Sequence, residues 1–215
     1  MPRWSAIEKD LRARGATLIA GVDEVGRGPL AGPVVACAVV MPPGERAIAG
    51  VDDSKALEAA ERERLAVLIR GRAVAIALGA ASVREIAAIN IYQATVLAMR
   101  RALGRLRVTP DAVLVDGRPI RTLGFEHRAV VGGDRRCYSV ACASIVAKVT
   151  RDRLMMSLSG RYPAYGWANN AGYGTPVHLA ALRAAGLTAH HRTLFCRGII
   201  APGEDGADEA LTPLR

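Results

Sequence analysis

The sequence predicts an α/β domain, five strands flanked by helices, and three observations carry that expectation. Five short apolar, partly β-branched runs of strand length occupy residues 17–22, 34–40, 73–78, 112–116 and 125–131. Helical periodicity with recognisable start signals fills much of the chain between and after them, over about 57–70, 83–103, 138–159 and 176–185. With 215 residues, 51% of them hydrophobic, the chain is long enough to bury one sizeable core.

Residues 1–15 form a short helical lead-in, and the first strand follows as Thr17-Leu-Ile-Ala-Gly-Val22. Asp23 and Glu24 are expected where that strand ends or turns. Neighbouring strand residues point to opposite faces. One site can therefore use both acids only if a turn or bulge re-aims one of them, or if the strand backbone lies under the ligand. Gly26, Gly28 and Gly32 permit positive φ and a close approach to main-chain N–H groups, while Pro29 and Pro33 limit flexing. The next apolar run, Val34-Val-Ala-Cys-Ala-Val-Val40, is a strand. A dinucleotide-binding glycine loop would instead open a long helix, so that reading is disfavoured.

After a Pro/Gly loop over 41–50, Asp53 or Ser54 is expected to cap the helix over 57–70. Lys55 would then stand near a helix N-terminus, where it either meets phosphate or is simply solvated. The third strand covers 73–78. Ser82 and Glu85 form a capping box for a long helix, with Ile86, Ile89, Tyr92, Val96 and Met99 at helical spacing and Asn90 and Gln93 as polar surface. Arg100, Arg101, Arg105 and Arg107 crowd its end, where cations suit the dipole. The run over 112–116 closes on Asp116-Gly117, and the weaker run over 125–131 leads into Gly132-Gly133-Asp134. Three strand ends thus carry acids.

The helix over 138–159 is rich in small residues, with Ala141, Ser144, Ala147 and Lys148 on overlapping faces, so it can pack close to a sheet. Asp152 is expected to pair with Arg151 or Arg153. A Gly/Pro/aromatic segment follows over 162–173. Thr175 then caps, and Pro176 opens, the last helix. His190-His191-Arg192-Thr-Leu-Phe195 closes the folded part. Residues 1–202 are expected to be one domain and 203–215 a disordered acidic tail.

The net charge of +9 understates the body, because the tail carries net −3 and leaves +12 on residues 1–202. Such a body suits a polyanion, nucleic acid before membrane, or merely aids solubility. Arginine supplies 26 of the 29 basic residues. The three lysines, Lys9, Lys55 and Lys148, hint at places where a point charge on a flexible stem is wanted. The N-terminus has no signal-peptide apolar region, so a cytoplasmic protein is expected. Cys37, Cys137, Cys142 and Cys196 lack metal-ligand spacing and are expected as buried free thiols.

Asp23, Glu24, Asp116 and Asp134 come from separate segments. Clustered carboxylates repel one another, and a pair of hard cations offsets that repulsion. Two such ions can clamp the attacking water and the leaving oxygen of a phosphodiester. A set of acids without histidine suits Mg²⁺ or a similar ion.

DEVGRGPLAGPVVACAVV from Asp23, DDSK from Asp52, LVDG from Leu114, GGD from Gly132, ASIVAKVTRDRLM from Ala143, YPAYGW, GYGTPVHLAAL and HRTLF together resemble bacterial ribonuclease HII, in order from about residue 17 to 197. The resemblance implies a ribonuclease H-like α/β fold, a mixed five-stranded sheet flanked by helices, with a short C-terminal helical extension. It implies an endonuclease that cuts RNA in RNA–DNA hybrids and at single ribonucleotides embedded in duplex DNA, with two Mg²⁺ or Mn²⁺ ions. By position, Asp23, Glu24, Asp116 and Asp134 match the family's metal-binding catalytic acids. Gly26, Arg27 and Gly28 match its ribonucleotide-reading loop, Lys55 its phosphate contact, and Tyr173 the aromatic that packs on the neighbouring sugar. One departure stands out: the family usually places K-H-K before G-Y-G-T, and here Asn169-Asn170-Ala171 stands there.

Two rival readings remain. A non-catalytic hybrid-binding module would explain the basic body but not four acids beside a polyanion. A DNA-cutting nuclease or resolvase of the same fold class would leave the glycine loop without a purpose. With no extended apolar surface in the sequence, a monomer is expected.

Overall fold

A computed structural model of the protein describes residues 4–200. The acidic tail expected over 203–215 lies outside them. Helix α1 (Ala6–Ala13) leads into β1 (Ile19–Val25), β2 (Val34–Val40), α2 (Ala59–Arg72), β3 (Ala75–Ala81), α3 (Val83–Gly104), β4 (Ala112–Asp116) and β5 (Arg128–Val130). A short α4 (Gly133–Arg136) and the long α5 (Tyr138–Arg161) follow, then a 3-10 turn over Pro163–Tyr165, α6 (Trp167–Asn170), α7 (Pro176–Ala185) and α8 (Thr193–Cys196).

The five strands order as β3-β2-β1-β4-β5. β1 pairs antiparallel with β2 and parallel with β4, and β4 pairs parallel with β5, so the sheet is mixed as expected. Strand periodicity splits the core. Ala20, Val22, Ala36 and Val113 face α3, while Cys37 and Val39 face α5 and α2. The small residues of α5 have a direct cause. A Cβ at Gly21 would sit inside the backbone of Ser139, so helix and strand touch backbone to backbone. Gly79 does the same for α3, where a Cβ would overlap Ala98.

The N-terminus of α5 is capped from far away in sequence. Cys137 offers no side-chain cap; Glu8 of α1, fully buried, does so instead. Its carboxylate accepts from Tyr138 N (3.1 Å), Ser139 N (2.8 Å) and Ser139 Oγ (2.7 Å), and also from Ser5 N (2.8 Å). A negative charge on orphan helix N–H groups favours both partners. Glu8→Gln is expected to lower stability by about 2 kcal/mol, since the charge goes and an amide NH₂ can meet those N–H groups. Urea unfolding with unchanged m-value would measure it.

The element limits differ from the sequence expectation where tertiary pairing decides them. β1 runs on through Glu24 to Val25 because β2 keeps pairing with it there, Asp23 opposite Cys37 and Glu24 opposite Ala36. β3 starts two residues later than expected, because α2 extends to Arg72 and Val74 N instead bonds Val40 O. α2 begins at Ala59 behind Glu58, so neither Asp53 nor Ser54 caps it. Asp53 turns back to accept from Lys55 N at 3.0 Å, and the Ser54 hydroxyl meets that of Ser144 at 2.8 Å. The capping box of Ser82 and Glu85 is present, but α3 kinks at Asn90 (φ 65°), whose side chain accepts from Gln93 N. All four cysteines are buried free thiols, as expected.

Candidate active site

β1 and β4 run in parallel, with Val22 opposite Val115, so Asp23 and Asp116 emerge side by side one residue further on. Both lie on the α5 face of the sheet by strand alternation. Glu24 points to the other face, and the ladder with β2 is regular, without a bulge. A turn or bulge that re-aims one of the two acids is therefore not what the structure has at Asp23 and Glu24.

Asp116 closes β4, and its Oδ1 accepts from Gly133 N at 2.6 Å, which fastens the Gly132-Gly133 turn beside it. Gly132 is left-handed (φ 66°), a turn that starts the α4 helix not foreseen from the sequence. That turn buries Asp134 next to Asp116. Lys55 Nζ leans on Asp134 Oδ2 at 3.5 Å, its own side chain largely exposed. It does so from a turn ahead of α2, not from the helix N-terminus. Asp53 also belongs here, buried, paired with Arg135 at 3.1 Å.

The electrostatics is that of a charge cluster short of cations. Burial, then Glu24 and Asp116, push the Asp23 carboxyl well above the usual carboxylate range. Burial also raises Glu24, with Arg27 opposing and Asp116 adding to it. Asp134 rises through burial and the charges of Asp116 and Asp53, against Lys55. Arg27 meets Glu24 at 3.5 Å, but neither Asp23 nor Asp116 has a basic partner among the described residues. Nor do any three acid, imidazole or thiol groups among those residues close a metal cage. An open rim of acids fits a Mg²⁺-type ion, which keeps waters and takes substrate oxygens as ligands, better than Zn²⁺.

These shifts have a sign. The folded protein holds protons that the unfolded chain has lost, so in the absence of metal these acids make it less stable as pH climbs above the ordinary carboxylate range. His191, buried and lowered to about 4, acts oppositely: its contribution is complete above its ordinary 6.5 and is lost as pH falls towards 4. A divalent ion held by these acids would act on them and not on His191. The Tm gain from Mg²⁺ over chelator is therefore expected to be larger at about pH 8 than at about pH 5, with protons released on binding. Differential scanning calorimetry at both pH values would show it, and an equal gain would contradict it.

β1 runs directly into Gly26, Arg27 and Gly28. Gly26 has φ 92°, and a Cβ there would strike the Arg151 guanidinium. A Cβ at Gly28 would lie 3.6 Å from the Tyr173 ring, so loop and aromatic meet. Tyr173 is itself braced from below. Its carbonyl accepts from His178 Nδ1 (2.9 Å), which leaves His178 Nε2 to accept from Trp167 Nε1 (3.2 Å) and from His191 Nε2 (3.0 Å). Burial lowers the pKa of His178 as well as that of His191. Asn170, in the segment that departs from the family, also has internal work. It donates to Tyr165 O (2.7 Å) and Thr175 Oγ1 (3.2 Å) and accepts from Gly172 N (2.8 Å).

Asp23 and Glu24 lie in β1 with the Gly26-Arg27-Gly28 loop directly after it, Asp116 closes the neighbouring β4, and Asp134 with Lys55 stands beside it across the Gly133 turn, while Tyr173 approaches the loop at Gly28. Two residues that matter were misread from the sequence. Asp152 pairs with Lys148 at 2.8 Å and not with an arginine; Arg153 goes to Glu63. Arg151 is fully buried and bonds backbone carbonyls, as does Arg192. Ser144, Ala147, Arg151 and Met155 recur at helical spacing, and that stripe already placed Arg151 on the buried face.

The family model described as Ribonuclease HII matches residues 20–198. The chain belongs to the ribonuclease HII family. Relatives named ribonuclease HII include that of Granulibacter bethesdensis, 54% identical over 86% of each chain, and that of Thermosynechococcus vestitus, 53% identical over 87% of each. Among solved structures, the ribonuclease H2 of Pyrococcus horikoshii OT3 superposes with a TM-score of 0.69 at 26% identity, covering 85% of this chain and 96% of that one. The ribonuclease HII of Archaeoglobus fulgidus, solved in complex with PCNA, gives 0.67 at 26% identity over 81% and 93%. The protein is thus a metal-dependent endoribonuclease that cuts the RNA strand of RNA–DNA hybrids, on a ribonuclease H-like fold.

Proposed function

We propose that this site also cuts at a single ribonucleotide in duplex DNA, hydrolysing the phosphodiester on its 5′ side to leave 3′-OH and 5′-phosphate ends. Asp23, Glu24, Asp116 and Asp134 are the groups that would hold two ions, Mg²⁺ or Mn²⁺. When bound, such ions supply Lewis-acid stabilisation of the attacking and leaving oxygens. The chain's own part is positional. Main-chain groups of Gly26, Arg27 and Gly28 touch the 2′-OH, the only group that tells RNA from DNA at one nucleotide. Tyr173 packs on the next sugar. Lys55, long, exposed and already drawn towards Asp134, contacts a nearby phosphate.

The observation that supports this reading is the junction of the acid-bearing end of β1 with a glycine loop that in turn touches Tyr173. We further take residues 1–202 as one catalytic unit working as a cytoplasmic monomer. Among the described residues no helix is long and apolar enough to cross a membrane. Incubation with all-DNA, all-RNA and one-ribonucleotide duplexes tests the proposal. One cut at the ribonucleotide and none in all-DNA is expected. Cutting of all-DNA would favour a DNA nuclease of this fold, and binding without cutting a silent module.

A further inference from the structure

We propose that Arg192 and Arg151 are positioning residues that set which face the Gly26-Arg27-Gly28 loop shows to the ribose; this rests on the loop's proposed role as the ribose reader. Arg192 is buried against the underside of the loop. Its Nη2 donates to Gly26 O (2.5 Å) and Gly32 O (2.8 Å), its Nη1 to Arg27 O (2.9 Å) and its Nε to Gly32 O (3.0 Å). Arg151 completes the set with Pro33 O (3.0 Å), Ala31 O (2.9 Å) and Ala171 O (2.8 Å). The last bond carries the tie across to the segment that bears Tyr173.

Neither guanidinium has a carboxylate within ion-pair distance among the described residues. Burial lowers both pKa values, that of Arg192 to about 10, and backbone dipoles are what compensate the charge. Two buried cations that face carbonyls, with the Phe195 ring centroid 5.3 Å from the Arg192 guanidinium besides, are a costly way to fill a core. The arrangement makes sense through the peptide geometry it imposes. In a trans peptide the C=O of one residue and the N–H of the next point in opposite directions. Drawing the Gly26 and Arg27 carbonyls inward therefore turns the N–H groups of Arg27 and Gly28 outward. Those two N–H groups have no acceptor among the described residues. The arginines convert a flexible glycine loop into a fixed pair of donors.

The planar fork is essential to this. A lysine keeps the charge but cannot span several carbonyls in one plane. Arg192→Lys and Arg151→Lys are the test, assayed by single-turnover cleavage of a duplex carrying one ribonucleotide and of its 2′-fluoro counterpart. The wild type is expected to prefer the 2′-hydroxyl strongly. In each variant the rate at saturating duplex should fall by about 10-fold or more, and the 2′-hydroxyl preference should shrink by a similar factor, with duplex affinity little changed. A packing role alone would slow both substrates equally. Variants that are less stable or slower but keep the full preference would overturn the inference. A wild type indifferent to the 2′ group would instead overturn the loop's assignment. If both variants remain unfolded at about 10 °C by circular dichroism, the arginines hold the fold and not the loop, and the inference fails.

Discussion

Asp116→Asn should lower cleavage by a factor on the order of 10³ while raising the Tm of the metal-free protein. The amide keeps an oxygen for Gly133 N, so the turn that presents Asp134 survives. What disappears is one negative charge among Asp23, Glu24 and Asp134, each of which Asp116 pushes upward. A neutral amide is also a poorer ligand for a hard cation. Opposite signs for activity and metal-free stability mark a charge cluster kept for function. Single-turnover rates in Mg²⁺ and melting in chelator check both. Near-normal turnover would remove Asp116 from the site.

Tyr173→Ala should cost up to about 10²-fold in turnover on a single-ribonucleotide duplex, with a much smaller change in duplex affinity. The ring stands over Gly28, and its backbone is fixed by the His178 bond and by the Asn170 brace. The segment before it, Asn169-Asn170-Ala171, carries no basic side chain and is held by hydrogen bonds within the chain, so the proposed ring contact should carry more of the alignment and charge less. Asn169 is exposed and makes no such brace. Asn169→Lys should therefore tighten duplex binding at raised salt without moving the cut. Stopped-flow binding and quenched-flow cleavage separate the two effects. A Tyr173→Ala variant that cuts as fast as the wild type would contradict this account of the edge.

Much of this was legible in the residues, and the exceptions share a cause. β2 and β4 could be bounded to the residue because both are apolar runs ended by glycine, proline or an acid. The Ser82–Glu85 capping box and Thr175 marked helix starts, since a short polar side chain bonding nearby N–H groups is local chemistry. The acids could be found as a set because each stands in or just after an apolar strand run, although only Asp116 proves to end its strand, Asp23 and Glu24 falling inside β1 and Asp134 in α4. Partners distant in the chain were hidden. That β1 continues through Glu24 depends on β2, that Asp53 serves Arg135 depends on α4, and that Glu8 caps α5 depends on a contact 130 residues away. Arginine was the most deceptive residue. Beside Asp152 in sequence, Arg151 looked like half of an ion pair, yet two of its three bonds go to carbonyls more than a hundred residues upstream and the third to Ala171 O.

The most direct test of a shared metal centre is the stoichiometry of Mn²⁺ bound to the enzyme with an uncleavable hybrid, read by electron paramagnetic resonance. Two ions per chain are expected in the wild type, with antiferromagnetic coupling that reports their proximity, and fewer than two in Asp116→Asn. Two uncoupled ions, or full occupancy unaffected by Asp116→Asn, would contradict the assignment of Asp23, Glu24, Asp116 and Asp134 to one centre.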